Sequence, residues 1–256
     1  MKYTATADTD IGISRGTNED SVLLKHAICD GKEVLLAVVC DGMGGLSHGE
    51  LASATVVRAF SRWFHDELLH EPEKADLDEV GIKWGLLLKD VNTKILEYSR
   101  RIGSPMGTTF TGMLFLDDQY VFVHIGDGRI YHIGTSVRQL TTDHTVAQME
   151  VSRGTMTPEE AEHDQKRNKL TRCIGITAIV EPQITRGFSE KGTYVLCTDG
   201  FRHNLQQKEM AENLSFEHFR NKDAMHRSAR AMIDLVIQRK ERDNISVVLV
   251  KSNSEG

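Results

Sequence analysis

Two kinds of apolar run, in an order that never settles into a repeat, leave this chain few architectures. Short β-branched runs at 34–40 (VLLAVVC), 107–116, 119–125 (QYVFVHI), 129–133, 193–198 (TYVLCT) and 245–250 (ISVVLV) read as strands. Several are apolar throughout, so both of their faces should be covered. Asp117, Asp118 and Gln119 join two of them as a hairpin. Three longer segments read as amphipathic helices. Residues 50–65 put Ala52, Val56, Ala59, Phe60 and Trp63 on one face; 76–99 does the same with Leu77, Val80, Trp84, Leu87, Leu88, Val91, Ile95 and Tyr98; 222–240 does it with Met225, Ala229, Met232, Leu235 and Val236. Strands, two long helices, strands, a polar stretch, strands, a helix and a final strand are not a βα alternation. The order fits antiparallel sheets packed together and covered by helices.

The polar stretch, 141–170, lacks an apolar face and carries TPEEAE, with Pro158 at a first helical position and acids in the first turn. It reads as a partly exposed flap within a single domain spanning 1–256. Four prolines and no repeat leave no linker between domains. A net charge of −6 gives no nucleic-acid footprint. No run reaches the ~20 apolar residues of a membrane helix, and the N-terminus has no signal-peptide stretch. Cys29, Cys40, Cys173 and Cys197 form no CxxC pair, and three lie in or beside apolar runs, so they read as buried reduced thiols. A complete, cytoplasmic, monomeric chain is expected, with neither nucleic acid nor membrane as partner.

The chemistry is carried by aspartates at the ends of apolar runs. Asp41 follows VLLAVVC and opens DGMGG; Asp199 follows TYVLCT and opens DGF; Asp243 opens DNISVVLV; Asp127 follows VFVHIG and opens DGR; Glu19 and Asp20 precede SVLL. Singly, each has a plain explanation, because Asp-Gly after a strand makes a turn. Together they ask for more. Packed sheets bring such ends to one rim, where carboxylates within about 4 Å repel by several kcal/mol. A hard divalent cation resolves that conflict, and oxygen-only ligands favour Mg²⁺ or Mn²⁺ over zinc. The glycine steps after Asp41 would also expose the Gly42 carbonyl. Arg15, five residues before Asp20, is by itself a surface arginine; beside a metal cluster its guanidinium can fork onto a phosphate.

SRGTNED, VVCDGMGG, SPMGTTFTG, HIGDGRIY, LTTDHT, RNKLTRCIG, LCTDGF and DNISVVLV follow one another as in the type 2C protein phosphatases, the PPM family. The chain resembles the bacterial branch from residue 8 to about residue 250. The resemblance implies an α+β fold, a four-layer α/β/β/α sandwich of two antiparallel sheets flanked by helices. It implies two Mn²⁺ or Mg²⁺ ions and a third-metal site. Asp41 resembles the bridging ligand, Gly42 the carbonyl ligand, and Asp199 and Asp243 the ligands of the second ion. Glu19 and Asp20 resemble residues that hold metal-bound waters. Asp127, with Asp199, resembles the third site, and Arg15 the phosphate clamp; Arg15, Asp20 and Asp41 are the catalytic candidates. Two such ions would generate a hydroxide for in-line attack on phosphoserine or phosphothreonine proteins, with a Ser/Thr kinase as counterpart. One dedicated regulatory phosphoprotein is the narrower substrate reading, and a pseudophosphatase that binds phosphoproteins without turnover is the alternative of another class. Met43 stands where eukaryotic relatives carry a His presumed to be the general acid. That leaves the role to a metal-bound water or another group, with His144 as a candidate against the plainer reading of a structural flap histidine.

Overall fold

The structure, a computed structural model, describes residues 2–29, 31–44, 48–70 and 76–253. Gly45 of the DGMGG motif and both ends of the expected 1–256 domain lie outside them.

Two five-stranded antiparallel sheets form the centre. The first runs β1 (Tyr3–Asp10), β12 (Ile245–Ser252), β11 (Gly192–Cys197), β8 (Arg129–Ile133), β9 (Val137–Gln139). The second runs β10 (Gln183–Phe188), β7 (Gln119–Ile125), β6 (Phe110–Leu116), β3 (Lys32–Cys40), β2 (Ser21–Cys29). Strand β3 explains the layering. Leu35, Ala37 and Val39 face the other sheet, while Val34, Leu36, Val38 and Cys40 face helices α1 (Gly49–Trp63) and α2 (Leu77–Ile102). The two-residue period of a strand thus feeds two different apolar layers, which is why the run has no polar face. In β12, Val248 and Val250 point between the sheets, and Ile245, Val247 and Leu249 point at α5 (Asp199–Arg202), α6 (Gln207–Leu214) and α7 (Lys222–Gln238). The result is the helix–sheet–sheet–helix sandwich that the sequence leads one to expect.

The helices begin where the chain supplies caps. The Asp76 side chain accepts from the Asp78 N–H at the start of α2, which stops at left-handed Gly103 (φ 66°). Asn221 caps α7. In the flap, Thr145 caps α3 (Val146–Ser152), and Thr157 with Glu160 makes a capping box on α4 (Pro158–His163), with Pro158 in the first turn.

The structure departs from sequence expectation in several places. The run 107–116 is two strands: β5 (Met106–Thr108) pairs with β4 (Gly42–Gly44), β6 pairs with β3 and β7, and Thr109 lies between them. Strands β1, β2, β9 and β10 carry Thr, Lys, Arg and Gln among their apolar residues, so their runs are diluted. Helix α1 runs on through a wider turn at Phe64–Leu68. Tyr98, expected on the inner face of α2, is exposed, and its ring lies under Arg101. Thr198 and Asp199 do not continue strand β11 into a turn; Asp199 starts a helix. Cys40, Cys173 and Cys197 are buried, Cys29 is only half-buried, and all four thiols are free. Among the described residues no helix is long and apolar enough to cross a membrane.

Candidate active site

The aspartates meet at one rim of the sandwich. Asp41 follows β3, Asp199 follows β11, Asp127 lies between β7 and β8, and Asp243 precedes β12. Antiparallel neighbours present their opposite chain ends at the same sheet edge, so strands that leave and strands that enter both deliver a carboxylate there.

Each residue is held by a specific local device. Asp41 is pinned at its backbone: its N–H donates to Thr109 Oγ1 at 2.9 Å, and its carbonyl accepts from the Thr109 N–H (2.8 Å) and Thr108 Oγ1 (2.9 Å). The break between β5 and β6 therefore fastens the Asp41 turn. Gly42 donates to the Glu19 carbonyl at 3.2 Å, and a Cβ there would lie 2.4 Å from both the Glu19 and Gly49 carbonyl oxygens. No side chain fits, so the glycine is a packing requirement. Glu19 Oε1 accepts from the first N–H of α1, at Gly49 (3.2 Å). Asp20 is buried, and one of its oxygens accepts from Thr198 Oγ1 at 3.0 Å. Asp243 is turned onto Arg15, with Oδ1 2.8 Å from Nη2 and 3.0 Å from Nε. The expected phosphate clamp and an expected metal ligand are thus partners.

The electrostatics are those of crowded carboxylates. Burial, then Asp20, Asp199, Asp127 and Asp243, push the Asp41 carboxyl well above its usual range. Burial and Asp199 push Asp127 up to about 8, against the pull of Arg202. Asp20 is pushed up to about 7 by burial, with the Ser246 and Thr198 hydroxyls opposing and Asp199 and Asp243 adding. Glu19 and Asp243 are raised as well, burial again being the largest cause. Two buried oxygens, Asp20 Oδ1 and Asp199 Oδ1, have no hydrogen-bond partner among the described residues. An unsatisfied buried carboxylate oxygen is costly, and mutually repelling, under-bonded oxygens are the donor set that suits a hard divalent ion. Among the described residues no group of three or more Asp, Glu, His or Cys side chains stands close enough together to hold a metal ion as placed. The side chains instead lie within electrostatic reach of one another at a single rim.

A model of the protein phosphatase 2C family matches residues 13–244. The chain belongs to the protein phosphatase 2C family. It is therefore an enzyme, a protein phosphatase. It is 30% identical over 251 residues to the serine/threonine phosphatase stp of Listeria innocua, covering 96% of this chain and 94% of that one. Its fold is similar to the S. agalactiae serine/threonine phosphatase (TM-score 0.84, 29% identity, 98% and 100% covered). It is also similar to the catalytic domain of the serine/threonine protein phosphatase PstP in complex with two manganese ions (TM-score 0.78, 29% identity, 97% of both chains covered).

Several supporting residues of this phosphatase escaped sequence reasoning. Asn244 accepts from the Glu19 N–H (2.8 Å) and donates to the Ile11 and Thr17 carbonyls (2.9 and 3.3 Å), so it ties the Arg15 loop to the start of β12. Thr198 accepts from the Ser246 N–H while donating to Asp20. A buried pair joins the flap base to the rim: Arg129 forks onto Asp143 (2.8–3.1 Å), and Arg202 reaches both Asp143 Oδ2 (3.3 Å) and the Asp127 carbonyl (3.2 Å). Asn244, Thr198 and Asp143 sit inside the quoted motifs, where only their acidic neighbours or the motif as a whole drew notice. Nothing in the sequence pairs Arg129 with Asp143.

His144 takes a structural place. Its Nδ1 accepts from the Gly126 N–H at 3.1 Å, its own N–H donates to the Gly126 carbonyl at 2.7 Å, and its ring stacks on His124 at 5.0 Å. Burial, with Arg172 nearby, pushes it down to about 4, so the imidazolium form is scarce at physiological pH and the ring is a poor proton donor for a leaving group.

Proposed function

We propose that this chain is a metal-dependent protein-serine/threonine phosphatase that hydrolyses phosphoserine and phosphothreonine monoesters of proteins. One observation carries the reading: buried, mutually repelling carboxylates with unpartnered oxygens converge on the rim where Arg15 stands. The names of the relatives, and the two manganese ions of PstP, support it. Asp41, the Gly42 carbonyl, Asp199 and Asp243 would hold two Mn²⁺ or Mg²⁺ ions. Glu19 and Asp20 would bind from outside that set, and Asp127 with Asp199 would hold a third. When bound, such ions act as Lewis acids that activate water and neutralise charge on the phosphoryl group.

The chain's own groups do the rest. Arg15 lies half-exposed beside Asp243 and can transfer one arm of its fork to a phosphate oxygen. Thr198 holds one oxygen of the Asp20 carboxyl, while the other has no partner among the described residues. Thr109 fixes the Asp41 turn, and Asn244 fixes the Arg15 loop to the start of β12. Met43 offers no acid, and His144 is neutral, so leaving-group protonation falls to solvent held at the site.

The flap at about 141–170 belongs to this single domain. Burial of three of the four free thiols as small hydrophobes supports a reducing, cytoplasmic setting. A Ser/Thr kinase is the natural counterpart, and a monomer is sufficient for this site. Purified protein given p-nitrophenyl phosphate and a phosphothreonine peptide should lose activity in EDTA and regain it with Mn²⁺. A folded protein inactive with every divalent ion would refute the proposal.

A further inference from the structure

We propose that this phosphatase carries a subsite for an acidic side chain flanking the phosphoresidue of its substrate, built around Lys240 and Arg242. The inference rests on the phosphatase reading above.

A cleft of about 590 Å³ opens from the catalytic rim, with Arg15 and Asp243 in its wall. It continues past Arg242 and Lys240 to Arg167 of the flap. Whatever presents a phosphate to Arg15 must lay its neighbouring residues along this cleft or across the flap.

The balance of free charge in the cleft is positive although the chain as a whole is at −6. The acids that line it are already consumed. Glu241 is buried and accepts from Asn204 Nδ2 (2.7 Å) and from the N–H groups of Arg242 (2.8 Å) and Asp243 (3.1 Å). Asp243 faces Arg15. The cations are not consumed. Lys240 and Arg242 are exposed and make no side-chain hydrogen bond or ion pair among the described residues. Among the described residues Arg167 is anchored only through the Glu162 carbonyl, at 2.8 Å. By contrast Arg239, one residue before Lys240, is tied to Glu209.

The backbone gives an independent reason to notice Lys240. Helix α7 ends with the Lys240 N–H on the Ile237 carbonyl (3.0 Å) and the Glu241 N–H on the Val236 carbonyl (3.2 Å). That is the Schellman arrangement, whose left-handed position normally falls to glycine. Here the position has φ 67° and holds a lysine. A left-handed lysine opposes the local preference, and the side chain it retains is an uncommitted cation on the cleft wall. A carboxylate of the substrate would meet Lys240 and Arg242 in partly screened solvent, so the effect should be modest and salt-sensitive.

The test compares kcat/KM for phosphothreonine peptides with Glu-rich and with neutral flanks, in Mn²⁺, for wild type, Lys240→Gly and Arg242→Gln. The wild-type ratio should be about 5 to 10 in low salt and fall towards 1 as salt is raised. Each variant should lower the ratio several-fold, and Lys240→Gly should do so while keeping or raising Tm. The ratio is internal to each enzyme, so a general loss of activity leaves it unmoved. A wild-type ratio near 1, or a ratio unchanged in both variants, would overturn the subsite. Failure of the wild type to hydrolyse p-nitrophenyl phosphate with Mn²⁺ would instead overturn the phosphatase reading.

Discussion

Strands β3 and β11 each hold two opposite kinds of environment. Along their length they contribute to a dry layer between the sheets, where Leu35, Ala37, Val39, Tyr194 and Leu196 pack with Phe115 and Phe122. At their ends the same strands deliver Asp41 and Asp199 to a rim where burial and like charge oppose ionisation of Asp41 and its neighbours. The apolar side chains of the interior lower the free energy of folding by leaving water. The rim raises it, and is held in place by hydrogen bonds from Thr109, Thr198 and Asn244 and by glycines where no Cβ fits. The sandwich is thus the stable part and the rim a destabilising load that it carries, so substitutions in the two regions should differ in sign as well as in size.

The largest expected effect is on turnover. Asp199→Asn should lower kcat by about 10⁴-fold or more, roughly 5.5 kcal/mol, by removing the proposed shared ion ligand, with far-UV circular dichroism unchanged. Wild-type activity at low Mn²⁺ would remove Asp199 from the centre. Next comes the interior beneath the helices. Trp84 is fully buried, its ring edge-on to Phe60 and Trp63, so Trp84→Ala should destabilise the fold by about 3–5 kcal/mol in denaturant titration.

The third prediction reverses the sign. Asp127 is an acid whose folded-state value is raised to about 8. Such a group costs nothing below its unfolded value near 4, and its cost grows as pH rises from there through 8. Asp127→Asn in EDTA should therefore match wild type near pH 4 and exceed it at pH 8, by on the order of 1 kcal/mol or more. A variant less stable than wild type at pH 8 would break the contrast between interior and rim. The smallest effect belongs to Arg15, whose side chain is 48% exposed. Arg15→Ala should raise KM for a phosphopeptide about fivefold, ~1 kcal/mol; a loss confined to kcat would mean that the guanidinium acts in the transition state instead.

Much of the fold was legible because the central strands are covered on both faces and so carry unbroken apolar runs. Edge and outer strands were not: β2 and β10 flank their sheet and alternate with Lys25, His26, Thr185 and Arg186. Tyr98 kept helical spacing but lies to one side of the stripe Val91, Ile95 and Ser99 that the last turns of α2 bury. In the site, acidic residues next to glycine could be read from spacing, because the close approach of Gly42 to Glu19 and of Gly200 to the Asn244 carbonyl (2.1 Å from a built Cβ) leaves no room for substitution. The residues that hold them could not. Thr109, Thr198 and Asn244 act across 48 to 233 positions of separation, and Arg129 meets Asp143 across 14 positions with strand β9 between them, distances at which local pattern carries no signal.

On the proposed reading the rim carries mutually repelling carboxylates because it is built for cations. The most direct measurement is equilibrium Mn²⁺ binding, read from the free-ion electron paramagnetic resonance signal, for wild type and Asp41→Asn. About two tightly held ions per wild-type chain are expected, the number in the PstP complex, with loss of that binding in Asp41→Asn and the fold retained. No binding by wild type, or equal binding by the two proteins, would contradict it.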